Sequence, residues 1–148
     1  MRRKFKKGKI RNATKVVQDG ITFRSKLELY TYNKLKEHNI KFEYESTKFV
    51  LIDKFTYPKD SYESYKSKGG KKFDKRSNSI RPMSYLPDFI NQDDRWIIEV
   101  KGFANDAFPL RWKLFKFITK DNPYTLFLPS NAKEVDEVIK ILKKIKNE

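Results

Sequence analysis

Residues 84–103 read SYLPDFINQDDRWIIEVKGF. The apolar positions Trp96, Ile97, Ile98 and Val100 mark a strand bound for the interior, yet Glu99 and Lys101 are set among them and Asp88 follows Pro87 just upstream. In a strand, residues two apart share a face and lie about 6.5–7 Å apart. Glu99 and Lys101 therefore share one face, while Ile98 and Val100 share the other, which can go to the core. Solvated charges belong on loops and outer faces, so this carboxylate and this ammonium need a reason.

The natural partner of Arg95–Lys101 is the preceding strand, Met83–Ile90, joined to it by the polar turn Asn91-Gln92-Asp93-Asp94. A simple hairpin register puts Asp88 near the turn and Glu99 toward the far end, so bringing the two acids together requires a twisted or bulged pairing, or strands that splay. Two carboxylates converging in a cleft repel unless a cation joins them. Mg²⁺ takes hard oxygen ligands, commonly one or two carboxylates with water and substrate phosphate. A neighbouring lysine suits phosphodiester hydrolysis, where it orients or deprotonates the attacking water or neutralises charge growing on the phosphate. The competing reading is a half-exposed strand carrying a surface Glu–Lys pair.

A third acid stands upstream. Ser25 and Glu28 have the spacing of a capping box at the start of a helix over about 25–37. The helical stripe Arg24, Glu28, Thr31, Tyr32, Leu35 carries an acid alongside Tyr32 and Leu35, a face that could meet a sheet. A surface acid serving the cap accounts for Glu28 equally well.

Around these segments the chain reads as one domain. Val16–Phe23 (VVQDGITF) predicts a hairpin turning at Asp19-Gly20. Residues 40–52 alternate as a strand or two, and residues 124–128 form a short buried strand. A helix opens at Asp106 or Ala107 with Pro109 in its first turn, and Asn131 caps a last amphipathic helix with Val135, Val138, Ile139, Leu142 and Ile145 on one face. The class is α/β, a central mixed sheet flanked by helices. Residues 16–148 make up this domain behind a basic arm at 1–15. An insertion at about 53–81, rich in lysine and tyrosine, is either a functional loop or a hairpin extension.

The 148 residues suffice for one real core, and 34 Lys+Arg against 19 Asp+Glu leave a net charge of +15. Charge of this size interleaved with aromatics, with no amphipathic anchor, points to nucleic acid and not to a membrane. The absence of cysteine excludes thiol nucleophiles and zinc-finger sites and fits a reducing cytoplasm. One histidine, His38, argues against histidine-based nuclease chemistry, and no glycine-rich loop followed by GK[ST] occurs, which argues against an NTPase. The basic N-terminus lacks an apolar stretch behind it, so no secretory signal is expected.

Taken in order, Phe23-Arg24-Ser25-Lys26-Leu27-Glu28, Ile40-Lys41-Phe42-Glu43-Tyr44-Glu45, Pro87-Asp88-Phe89 and Ile98-Glu99-Val100-Lys101-Gly102 resemble the PD-(D/E)xK nuclease superfamily. Two branches are similar: the phage endonuclease I type of Holliday-junction resolvase, and small phage proteins of unassigned function with the run seen here as Asp19-Gly20-Ile21, Phe23, Ser25-Lys26 and Glu28. The resemblance spans roughly residues 15–120. It implies an αβββαβ core with Asp88 and Glu99 close together. It also implies Glu28, Asp88, Glu99 and the Val100 carbonyl as ligands of Mg²⁺, with Mn²⁺ able to substitute, and Lys101 serving the nucleophilic water.

The expected activity is a metal-dependent endonuclease cutting DNA, selective for branched or junction substrates and acting as a homodimer in the cytoplasm. The alternatives are a nicking, restriction-like or end-processing nuclease, or a non-catalytic basic DNA-binding phage protein. Arg24, Lys26, Lys71, Lys72, Arg111 and Lys113 are the candidate DNA contacts. Arg111 and Lys113 lie on the helix after the motif, where a solvated face is the competing reading.

Overall fold

Asp19 and Gly20 both take positive φ, 54° and 73°, the backbone of a two-residue hairpin turn that matches strand twist. They join Val16–Gln18 (β1) to Ile21–Phe23 (β2), with Gln18 opposite Ile21. The computed structural model describes residues 14–102 and 107–147. Residues 1–13 of the basic arm, and Asp106 as a helix start, lie outside them.

Ser25 then stops the strand and starts helix α1 (Lys26–Glu37), its Oγ accepting the Glu28 N–H at 3.1 Å. The buried residues of α1 are Glu28, Thr31, Tyr32 and Leu35, the expected stripe without Arg24, which precedes the N-cap and lies outside the helix. The helix ends at His38, and Asn39 follows at φ 53°.

The two compact units of the chain are 1–48 with 86–148, and 49–85. The first holds the core and a four-stranded mixed sheet. Its strands are Glu43–Tyr44 (β3), Phe89–Asn91 (β10), Trp96–Ile98 (β11) and Thr125–Phe127 (β12), in the order β12-β11-β10-β3. Strand β10 is antiparallel to both neighbours and β12 is parallel to β11. A parallel neighbour requires a crossover, and helix α2 (Phe108–Thr119) supplies it. Helix α3 (Ala132–Lys146) follows, with the Asn131 side chain accepting the Glu134 N–H. The elements α1, β3, β10, β11, α2 and β12 thus follow one another as αβββαβ, in a mixed α/β fold.

The core gathers Phe23 of β2, Tyr32 and Leu35 of α1, Phe89, Trp96 and Ile98 of the sheet, and Val138, Ile139 and Leu142 of α3. Three rings, Phe23, Tyr44 and Phe89, sit in a chain with centroids 5.0 and 5.2 Å apart. The Tyr30 hydroxyl donates to Asp136 at 2.7 Å, fastening α1 to α3.

The second unit is the insertion, longer at both ends than the expected 53–81. It is a nested antiparallel excursion: Phe49–Ile52 (β4) pairs with Met83–Tyr85 (β9), Phe55–Thr56 (β5) with Ser79–Ile80 (β8), and Tyr62–Ser67 (β6) with Gly70–Lys75 (β7). Of the two expectations, loop or hairpin extension, it is the hairpin extension. The strand expected at 83–90 is therefore two strands, broken at Leu86-Pro87-Asp88, where proline has no N–H to give a ladder. Among the described residues, no helix is long and apolar enough to cross a membrane.

Candidate active site

Strands β10 and β11 pair as Asn91 with Trp96, Ile90 with Ile97, and Phe89 with Ile98. The next pair outward is Asp88 with Glu99. This register differs from the one expected, because Arg95 belongs to the turn and not to the strand. Arg95 adopts φ 52°, and the Asn91 side chain accepts the Asp94 N–H at 2.8 Å and donates to the Lys41 carbonyl at 2.9 Å. The four-residue turn thus lies at 92–95 and not at 91–94, which shifts each residue's partner by two and sets the two acids opposite one another without a bulge.

The backbone groups of both acids point away from the gap between them. The Asp88 carbonyl accepts the Glu45 N–H at 2.9 Å, and the Glu99 N–H donates to the Phe127 carbonyl at 2.9 Å. That is the non-hydrogen-bonded kind of antiparallel pair, in which Cα atoms are about 4.5 Å apart and side chains come closest. The Asp88 carboxylate crosses to β11 instead, where Oδ2 accepts the Val100 N–H at 2.8 Å. The Lys101 N–H bonds the Pro129 carbonyl at 3.1 Å, so residues 99 and 101 face β12. By strand alternation, Val100 turns both its N–H and its carbonyl toward Asp88.

Glu28, Asp88 and Glu99 are each only 2% exposed. Glu28 reaches in from α1, and its Oε2 accepts from the Tyr44 hydroxyl at 2.8 Å and from the Arg24 N–H at 3.2 Å. Ser25 and Glu28 form half of a capping box, since the carboxylate returns to Arg24 and not to the Ser25 N–H; the Glu28 backbone serves the cap while its side chain serves the interior. Burial foremost, and then the charge of Asp88, push the Glu28 carboxyl above its ordinary range, against the Tyr44 bond and the Arg24 charge. The Tyr44 phenol is itself pushed up by burial and by the Glu28 charge.

The Lys101 ammonium lies 3.5 Å from Glu99 Oε1 and 4.6 Å from the centre of the Phe108 ring. It opens onto a groove of about 410 Å³ shared with Phe108, Trp112, Lys113, Lys116 and Leu128. Lys113 thus reaches the same groove as Lys101, whereas Arg111 is exposed and does not line it. Arg24 is ion-paired with Glu45, and Lys26 is exposed at the start of α1. Lys71 and Lys72 belong to the β6–β7 ribbon, a separate unit.

The donors suit a hard divalent cation in part. Two buried carboxylates on neighbouring strands, with a main-chain carbonyl beside them, fit Mg²⁺, which keeps several waters and needs only one or two acids. The fuller set implied by the resemblance is not gathered: among the described residues, no three His, Cys, Asp or Glu side chains come together to hold a metal ion. Glu28 is placed as a neighbour of Asp88, bonded to Tyr44 and the Arg24 backbone.

Sequence reasoning gave no role of their own to Tyr44 and Glu45, quoted only within the resemblance, or to the groove residues Phe108 and Trp112. The alternation within Phe42-Glu43-Tyr44-Glu45 was the available signal for the first two. Glu45 takes φ 46°, which the pattern does not reveal. No curated protein and no solved structure matches the chain. A family model does match residues 7–127, and the chain belongs to that family, described as a protein of unknown function (DUF1064).

Proposed function

We propose that the protein is a metal-dependent endonuclease that hydrolyses phosphodiester bonds in DNA. The observation that carries this reading is the facing pair Asp88–Glu99, both buried, with Lys101 at 3.5 Å from Glu99 in a chain of net charge +15. A protein that only bound DNA would gain by losing buried acids that repel each other and phosphate. Retaining them beside an ammonium and a groove makes sense where a cation and a phosphate meet.

Asp88, Glu99 and the Val100 carbonyl would hold Mg²⁺, or Mn²⁺ in its place. When bound, the ion supplies positive charge to the phosphate and lowers the pKa of a coordinated water. The chain's own residues do the rest. The Val100 N–H fixes the Asp88 carboxylate in one rotamer. Glu99 holds the Lys101 ammonium at the groove, where it orients the attacking water and offsets charge growing on the phosphate. Phe108 packs under that ammonium and restricts its motion. Glu28, bonded to Tyr44 and to the Arg24 N–H, stands beside Asp88 as a further buried carboxyl. Lys113 and Lys116 at the groove carry sequence-independent phosphate contacts.

The substrate we favour is branched DNA, cut in the cytoplasm by a homodimer whose two sites act on opposing strands of a junction. The test incubates the protein with labelled linear duplex, single strand, flap and four-way junction, with Mg²⁺ or with EDTA. Cutting that needs the metal and is strongest on the flap and junction supports the reading. Equal cutting of all four removes the branch selectivity. No cutting with Mg²⁺ or Mn²⁺ removes the nuclease and leaves a DNA-binding protein.

A further inference from the structure

The β6–β7 ribbon sorts its side chains by face. Directly opposed residues in an antiparallel pair point the same way, so the register places Tyr62 with Lys75, Ser64 with Phe73, and Lys66 with Lys71 on one face. The other face takes Glu63 with Asp74, Tyr65 with Lys72, and Ser67 with Gly70. Both acids of the ribbon are on that second face, where Arg76 also stacks on Tyr65 at 4.1 Å. Within 62–75 the first face carries three lysines, two aromatics and no acid, and Asp60, just before the ribbon, pairs with Lys75 at its end.

That face is also open. Phe73 is 73% exposed and Tyr62 is 58% exposed. Phenylalanine has no hydroxyl to satisfy in water, so solvation gives no reason for it there. Lys66 directly opposite Lys71 is a like-charge pair, which weakens a two-stranded ribbon. An anion lying between the two ammoniums would turn that repulsion into attraction. Tyr62 and Phe73 are diagonal neighbours, about 7–8 Å apart by sheet geometry, which offers two ring positions along one surface.

We infer that this face of the ribbon is a stacking platform for an unpaired strand of nucleic acid. Tyr62 and Phe73 stack on neighbouring bases, and Lys66, Lys71 and Lys75 hold the phosphates. Lys75, bonded to Asp60 at 3.0 Å, exchanges that partner for phosphate. Bases inside a duplex are stacked on each other and offer no free face, whereas unpaired bases do. The inference rests on reading the protein as one that acts on DNA, and it adds the feature of the substrate that is recognised: a single-stranded segment, as in a flap or an opened junction.

The experiment measures binding in EDTA, where cutting plays no part. Full-length protein is titrated into a labelled oligothymidylate of about 20 nucleotides, longer than most single-strand sites, and into a labelled duplex of the same length, across a range of salt. Tyr62→Ala with Phe73→Ala should weaken oligothymidylate binding about tenfold or more, with little change on duplex and an unchanged salt slope. Lys66→Gln with Lys71→Gln should lower the single-strand salt slope by about 1.4. Tyr62→Phe with Phe73→Tyr keeps both rings and should bind as the wild type does, which separates stacking from damage to the ribbon.

Wild-type affinity in the alanine pair, an equal loss on single strand and duplex, or a loss in the ring-keeping pair would overturn the platform. Failure of the platform and failure of the nuclease are read separately. Metal-dependent cutting without a Phe73 effect sinks only the platform. Stacking without any cutting sinks only the nuclease.

Discussion

The backbone N–H of Val100 donates to Oδ2 of Asp88 across 2.8 Å. A strand neighbour's main-chain carbonyl would ordinarily take that N–H; here a carboxylate does, at the point where Pro87 interrupts the preceding strand. The same aspartate accepts the Glu45 N–H on its main-chain carbonyl. Its backbone is thus held by one neighbour and its side chain by the other, which fixes the carboxylate between the two strands.

Asp88→Asn and Asp88→Ala should therefore part ways in stability. Asparagine keeps an oxygen for the Val100 N–H and removes the charge that raises Glu28. Alanine strands a buried N–H, at a cost of about 1–3 kcal/mol. Denaturant titration should find Asp88→Ala the less stable of the two, while both lose cutting by about a hundredfold or more. An Asp88→Asn variant that cuts normally would remove Asp88 from the site.

Glu28 gives a pH signature. Its folded pKa is raised above its ordinary value by burial and by Asp88, so folding favours the protonated form. The stability this contributes is fully present below about pH 4.5, the unfolded value, and is lost as pH rises through the folded value. Glu28→Gln keeps an acceptor for Tyr44 and the Arg24 N–H, which both use one oxygen. In EDTA, it should melt higher than wild type at pH 7–8, with the gap closing toward about pH 4.5. A gap independent of pH would show that the Glu28 charge does not weigh on the fold.

Lys101 separates binding from turnover. Its ammonium sits against Glu99 and over the Phe108 ring, a fixed position suited to one phosphate and not to general attraction. Lys101→Ala should slow single-turnover cutting about 10²–10³-fold and leave affinity in EDTA within about threefold. A parallel loss of both would make the lysine one more backbone contact.

Arg24 was expected on DNA, and its ion pair with Glu45 gives it a structural task. Both side chains are only partly withdrawn from water, so Arg24→Ala should cost about 1–2 kcal/mol, less than a fully buried pair. Thermal melting and DNA titration of the same variant decide between the roles. A large loss of affinity at unchanged stability would return Arg24 to the DNA surface.

Much of this was legible in the residues. The spacing of Glu28, Thr31, Tyr32 and Leu35 marked one stripe of α1 while leaving Glu28 open between the interior and the surface, and Ser25, Asn131 and Asp19-Gly20 marked two helix starts and a turn by local chemistry. The strand register was not legible. It depends on whether Arg95 is a strand residue or the fourth residue of a turn, and that is decided by a positive φ and by the bonds of Asn91 to Asp94 and Lys41, which leave no mark on hydrophobic alternation. The ribbon at 62–75 stayed undecided between loop and hairpin for a related reason. Almost all its side chains are exposed, and a strand with no buried face has no apolar period to read. The pairing of acids was thus expected from resemblance, while its geometric cause came only with the fold.

The most direct measurement is single-turnover cleavage of a labelled four-way junction by wild-type protein and by Glu99→Gln, each in Mg²⁺ and in EDTA, with binding followed in parallel. The account predicts product from the wild type in Mg²⁺ alone, and a Glu99→Gln protein that binds the junction but leaves it whole. Junction cut equally in EDTA, or cut by Glu99→Gln at the wild-type rate, would contradict it.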